Sequence, residues 1–213
     1  MLVENPVVIT EKELMKLARQ ARGRITTIYL HWTAGRYGQV FDDYHLNIDQ
    51  DGTLYVTCDD LCERKAHTWK RNTGTIGIAL CCGYDADCEL PTAIPAKTAW
   101  GAVEPYEYRD PYQAMVDLGS EPPTAIQIEV LAKIVAILCK ELNLANSSEH
   151  VQTHCEIAFQ DGYGPGSGDP ETKWDLWFLP DICRKDRLFP GGFLIRGKAA
   201  YYLWDMQREK NAA

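Results

Sequence analysis

Apolar residues along this chain recur with two periods, and the switches between them mark its elements. Thr10 followed by Glu13 forms a capping box ahead of Leu14, Leu17 and Ala18, which predicts an amphipathic helix over 11–21 that stops at Gly23. Residues 25–32 are apolar and β-rich, suited to a central strand with His31 at its end. The short runs 44–48 and 53–57 flank Asp51-Gly52, a dipeptide that accepts positive φ and so predicts a hairpin. Residues 75–82 read as another apolar strand. Thr124 with Gln127 opens the clearest helix, whose wide stripe of Ile126, Val130, Leu131, Ile134, Ile137 and Leu138 runs to about Leu144. A strand over 151–153 then delivers His154, and 197–210 reads as a last helix carrying Tyr201, Tyr202, Leu203 and Trp204.

Strands interleaved with helices predict an α/β fold, a mixed central β-sheet flanked by helices. With 213 residues, 46% of them hydrophobic, a single domain can bury a sizeable core. The expected organisation is a core over about 24–180, an insertion over about 84–121 and the C-terminal helix. The insertion is rich in Pro and Tyr, with Trp100, Tyr106, Tyr108 and Tyr112 and no clean periodicity. It either roofs a cleft or packs against the sheet.

A formal charge of −8 argues against nucleic acid as partner, because phosphate neutralisation needs a basic surface. It equally argues against charge-driven adhesion to anionic wall polymers, so recognition should come from a cleft. No apolar run is long enough to span a bilayer, and the opening Met-Leu-Val-Glu-Asn-Pro has no basic segment leading into an apolar one. The chain is therefore expected to begin in the cytosol, without stable membrane association. The eight cysteines lack zinc-ribbon spacing and read mostly as small buried apolar residues, although Cys58 with Cys62, or Cys82 with Cys88, could bridge under oxidising conditions.

Three distant side chains carry the candidate chemistry: His31 in His-Trp-Thr-Ala-Gly, His154 in Thr-His-Cys-Glu-Ile-Ala, and Asp169 in Gly-Ser-Gly-Asp-Pro. Two imidazoles and a carboxylate suit a catalytic Zn2+, because three protein ligands leave a fourth tetrahedral position open. Around them stand Tyr44-His45-Leu46-Asn47-Ile48-Asp49, then Asp51-Gly52-Thr53-Leu54-Tyr55, then Ala66-His67 with Asn72 and Ile76-Gly77-Ile78, and last Trp174-Asp175-Leu176-Trp177. In order and spacing these blocks resemble the zinc-dependent N-acetylmuramoyl-L-alanine amidases, the family shared by phage lysozyme-type amidases and peptidoglycan recognition proteins. The resemblance covers roughly residues 25–180 apart from the insertion.

That resemblance implies hydrolysis of the amide between N-acetylmuramic acid and L-alanine in peptidoglycan, by a monomer using Zn2+ on His31, His154 and Asp169. It places Tyr44 beside the attacking water, and His67, Asn72 and Lys70 or Arg71 along the glycan and peptide groove. Members of the family often carry Lys or Thr two residues before the third ligand as an oxyanion donor. With Asp169 as ligand that position is Ser167, and Lys173 could approach from across the loop. Ala79 and Cys81 stand on the strand where the muropeptide-recycling branch has a glutamate base, which points to the tyrosine-using branch. His45 is expected to pack or to support a ligand, and His150 to be structural. Cys155 is a poor nucleophile candidate, since neighbours on a strand point apart. The implied role is a phage or prophage endolysin, cytoplasmic as synthesised and acting on the wall after release. The alternatives are a cytoplasmic muropeptide-recycling amidase and a peptidoglycan-binding protein without catalysis.

Overall fold

The computed structural model describes residues 1–89, 115–167, 173–181 and 187–212. Its centre is a six-stranded mixed sheet in the order β1-β4-β3-β5-β2-β8. These strands are β1 (Val7–Val8), β2 (Thr27–Trp32), β3 (Leu46–Ile48), β4 (Leu54–Val56), β5 (Thr75–Leu80) and β8 (Val151–Thr153). β2 runs parallel to β5 and β8, and β3 parallel to β5, while β3 and β4 form the antiparallel hairpin expected at Asp51-Gly52.

The period of two along β2 and β5 separates the two faces of the sheet. Ile28, Leu30 and Trp32, with Ile76, Ile78 and Leu80 in register, enter the main apolar core. That core is completed by α1 (Glu11–Ala21), α2 (Ala125–Leu142) and α4 (Gly191–Ala212). Both predicted capping boxes are formed, at Thr10/Glu13 and Thr124/Gln127. Gln127 does more than cap: its buried amide donates to the carbonyls of Ile48 (3.0 Å) and Cys81 (3.2 Å), tying α2 to the ends of β3 and β5. Glu141 accepts a forked pair of bonds from Arg19 (2.7 and 3.2 Å), which fixes α1 on α2. Among the described residues, no helix is long and apolar enough to cross a membrane.

Three features differ from the sequence expectation. The stretch after Gly83 leaves and returns as a strand pair, β6 (Asp87–Glu89) antiparallel to β7 (Met115–Asp117), closed at its base by Gly83 N–H donating to the Glu121 carbonyl (2.8 Å). Trp100, Tyr106, Tyr108 and Tyr112, and with them the choice between roof and packing, lie outside the described residues. Second, His154 and Cys155 are not neighbours on a strand: after β8 the chain turns at once into α3 (His154–Asp161). Third, α4 begins at Gly191 rather than near 197, after a small hairpin of β9 (Phe178–Pro180) and β10 (Leu188–Pro190).

Two glycines are weak helix formers, which hid this early start from a propensity reading. They stand there because the Leu176 backbone crowds Gly191 and the Glu156 carboxylate crowds Gly192 too closely for a side chain. A Cβ on Gly191 would lie 2.0 Å from the Leu176 carbonyl oxygen. Leu176, fully buried, adopts φ 57°, a left-handed conformation that costs a non-glycine residue about 1–2 kcal/mol and persists only where its surroundings impose it. Gly191→Ala is therefore expected to lower the unfolding free energy by about 1–3 kcal/mol through overpacking, measured as a shift in the urea midpoint at unchanged m-value.

Candidate metal centre and cleft

The second face of the sheet carries Tyr29 and His31 on β2, in register with Gly77 and Ala79 on β5. Here His31 is the penultimate residue of the central strand, with its imidazole almost fully buried. His154 is the first residue of α3, and its position follows from local chemistry. The Thr153 hydroxyl accepts from the Glu156 N–H (3.1 Å) and the Glu156 carboxylate accepts from the Thr153 N–H (2.9 Å), a complete capping box. Arg196 of α4 clamps that same carboxylate through two bonds (2.8 and 2.7 Å), so α3 starts at a fixed point against the sheet.

Asp175 arrives on the segment that precedes β9. The Trp174 ring stands edge-on to Trp32 (centroids 4.8 Å apart), and the left-handed turn at Leu176 follows directly. The outcome is a cluster of three buried groups, His31, His154 and Asp175, whose candidate ligand atoms all lie within 4.8 Å of one another. His31 Nδ1 is 3.2 Å from His154 Nδ1 and 3.0 Å from Asp175 Oδ2, and His154 Nδ1 is 3.1 Å from Asp175 Oδ1. Tetrahedral zinc with bonds of about 2.0–2.1 Å separates its ligand atoms by about 3.3–3.5 Å. The donor types and spacing therefore fit such an ion with little adjustment.

The electrostatics agree with this fit. Burial drives the His31 imidazole down to about 4, even though Asp175 opposes the shift. Burial alone would raise the Asp175 carboxyl, but His154 and His31 outweigh it and hold the group ionised well below the ordinary carboxylate range. A neutral imidazole and an ionised carboxylate are the protonation states a divalent cation requires.

Two adjoining cavities open over the cluster. One, of about 570 Å³, is lined by Ala66, His67, Trp69, Asn72, His154, Tyr163 and Lys173. The other, of about 350 Å³, includes Trp32, Tyr44, His67, His154, Lys173 and Asp175. Because they share His67, His154 and Lys173, they form one groove across the buried centre. A family model described as N-acetylmuramoyl-L-alanine amidase matches residues 21–170, well over half of the chain.

The chain belongs to that amidase family. Comparison with curated proteins finds no match. The protein is thus an N-acetylmuramoyl-L-alanine amidase, with peptidoglycan as its substrate class and the α/β fold expected from its sequence. The family match ends at residue 170, so Lys173 and Asp175 enter the site on geometry alone.

In the amidase, the carboxylate gathered with His31 and His154 is Asp175, six positions beyond the Asp169 expected from sequence. Asp169 lies outside the described residues. The residue two positions before Asp175 is Lys173, which lines both cavities, whereas Ser167 lies in an exposed turn and lines neither. Tyr44 borders the groove with its ring 5.1 Å from that of His31, its hydroxyl donating to the Trp32 carbonyl (3.3 Å). Burial pushes its phenol far above the usual range, so Tyr44 stays protonated and acts as a donor.

His67 lies against the sheet where only Gly77 leaves room, since a Cβ there would be 2.5 Å from the ring. Burial, reinforced by the neighbouring imidazoles, lowers His67 to about 2. Asn72 lines the groove and also accepts from the Thr68 N–H (2.7 Å).

The two basic candidates stand beside the groove rather than among its lining residues. Arg71 forks onto Asp161 (2.7 and 2.6 Å), tying its loop to the end of α3, and Lys70 sits 4.0 Å over the exposed Trp69 ring. His45 accepts from the Gly77 N–H (3.0 Å) and donates to the Glu63 carbonyl (2.7 Å), holding the loop under the groove. His150 bonds the Thr26 carbonyl (2.8 Å). The seven cysteines among the described residues are free thiols, four of them buried. Burial raises the Cys155 thiol so far that no thiolate is available at neutral pH. Sequence reasoning passed over Trp69 and Tyr163, whose rings meet edge-on (6.2 Å) along the groove wall. A Trp beside the His67 motif was the available signal.

His31, His45 and His67 are all held below the ordinary imidazole range by burial. The unfolded chain therefore binds protons near pH 6.5 that the folded chain refuses, so the stability they contribute is complete above that pH and lost as pH falls toward 4. The unfolding free energy of metal-free protein is expected to drop between pH 7 and 4.5 by at most about 1.4 kcal/mol per pH unit for each imidazole, read by urea titration across that range.

Proposed function

We propose that this amidase is a zinc hydrolase that cuts the bond between the lactyl group of N-acetylmuramic acid and L-alanine, with His31, His154 and Asp175 as ligands. The observation that carries this reading is the convergence of two Nδ1 atoms and one carboxylate, all buried, at the floor of the groove. Zinc in this donor set supplies Lewis acidity, polarising an amide carbonyl and making water acidic enough to attack near neutral pH.

The chain's own residues do the rest. The Tyr44 hydroxyl orients the attacking water by accepting from it, or swings from the Trp32 carbonyl to donate to the developing oxyanion, and Lys173 brings positive charge to the same place. Trp69 and Tyr163 offer aromatic faces to the glycan side, while Asn72 and His67 shape the pocket. Lys173, which lines both cavities, is also placed to attract a stem-peptide carboxylate.

We further propose action on intact wall as a monomeric endolysin, without stable membrane association. β5 places Ala79, rather than a carboxylate, in register with His31. That supports the tyrosine-using branch over the muropeptide-recycling one, and an endolysin should digest whole sacculi where a recycling enzyme would accept only soluble fragments.

Digestion of purified sacculi is expected to release stem peptides beginning at L-alanine, as read by mass spectrometry, with activity lost to a chelator and restored by zinc. Internal peptide cuts, or full turnover after zinc removal, would refute the reading. Asp175→Asn is expected to reduce kcat by more than about 10²-fold and to abolish stoichiometric zinc uptake. Asp169→Asn should retain both, and the reverse outcome would return the third ligand to Asp169.

A further inference from the structure

We propose that Thr68 is a positioning residue that biases His31 toward the Nε2–H tautomer and so favours a bare Nδ1 at the metal centre, a role that rests on the zinc reading above. A chain of hydroxyls and imidazoles runs from the centre to a backbone carbonyl. The Thr75 hydroxyl donates its single proton to the Arg71 carbonyl (2.8 Å), an atom that can only accept. Toward His67 Nε2, 3.4 Å away, Thr75 Oγ1 can therefore only accept, which places the His67 proton on Nε2.

His67 is buried with hydroxyl partners on both ring nitrogens and no carboxylate, so it is neutral and its Nδ1 carries a lone pair. The Thr68 hydroxyl, 2.9 Å from that Nδ1, must donate to it. Having spent its proton, Thr68 Oγ1 can only accept from His31 Nε2 (3.4 Å). The relay therefore favours a proton on His31 Nε2, while in metal-free protein the ionised Asp175 carboxylate, 3.0 Å from His31 Nδ1, competes for a proton on that nitrogen, and a divalent cation between the two removes the competition. The Thr68 N–H bond to Asn72 Oδ1 (2.7 Å) holds the residue in place, which gives Asn72 a supporting role besides lining the groove.

A ligating histidine depends on the partner of its other nitrogen, and loss of such a partner typically costs 10–100-fold in metal affinity. Thr68→Val keeps the shape and removes the hydroxyl. Zinc affinity measured by chelator competition is expected to fall about 10–100-fold in this variant and to stay near wild type in Thr68→Ser. In metal-free protein, long-range ¹H–¹⁵N spectra should show a larger share of the Nε2–H tautomer of His31 in wild type and Thr68→Ser than in Thr68→Val, where Asp175 is left to draw the proton to Nδ1.

Should Thr68→Val fail to fold, Thr75→Val removes the anchor of the chain from a greater distance and is expected to shift the His31 tautomer in the same way. Valine variants with unchanged zinc affinity and an unchanged share of the two His31 tautomers would overturn the proposal. Wild-type protein that binds no zinc would instead sink the metal reading, and the tautomer spectra would still decide the relay.

Discussion

Two imidazole nitrogens and a carboxylate oxygen about 3 Å apart, out of water, press lone pairs against one another unless a proton or a cation lies between them. The whole second face of the sheet is organised to hold His31, His154 and Asp175 in that arrangement. Each arrives on a different kind of support. A central strand flanked by parallel neighbours fixes His31, a helix N-terminus closed by Thr153, Glu156 and Arg196 fixes His154, and a left-handed turn wedged under Gly191 fixes Asp175. Packing on the opposite face supplies the rigidity, because β2 buries Ile28, Leu30 and Trp32 there while presenting Tyr29 and His31 to the groove.

Where the sequence expectation held, the signals were local. The capping boxes at Thr10 and Thr124, the Asp51-Gly52 turn and the apolar runs of β2 and β5 each declare themselves within a few residues. The family blocks around His31, Tyr44 and His67 were legible for the same reason. α3 carried an equally plain signature, Thr153-His154-Cys155-Glu156, but a preceding β-like run drew attention to the strand that delivers the histidine rather than to the helix that begins with it.

The third carboxylate shows a different limit. Asp169-Pro170 and Asp175 both follow His154 by a plausible interval, and the segment between them has no periodicity to count along. Among the described residues, the long-range contacts of Trp174 with Trp32 and of Leu176 with Gly191 bring Asp175 to the two histidines, and neither contact leaves a trace in local sequence. One clue did exist. Taking Asp175 as the ligand places Lys173 two residues before it, which satisfies the family pattern that Asp169 and Ser167 leave unmet.

The two histidines of the centre are not equivalent. His31 is held from behind through Thr68, whereas His154 Nε2 is buried without a partner among the described residues and lies in the wall of the groove. His31 is therefore engaged at both ring nitrogens, and His154 at Nδ1 alone among the described residues. His154 borders the groove beside Tyr163, their ring centroids 6.0 Å apart, so it stands between the buried His31 and the aromatic wall formed by Trp69 and Tyr163.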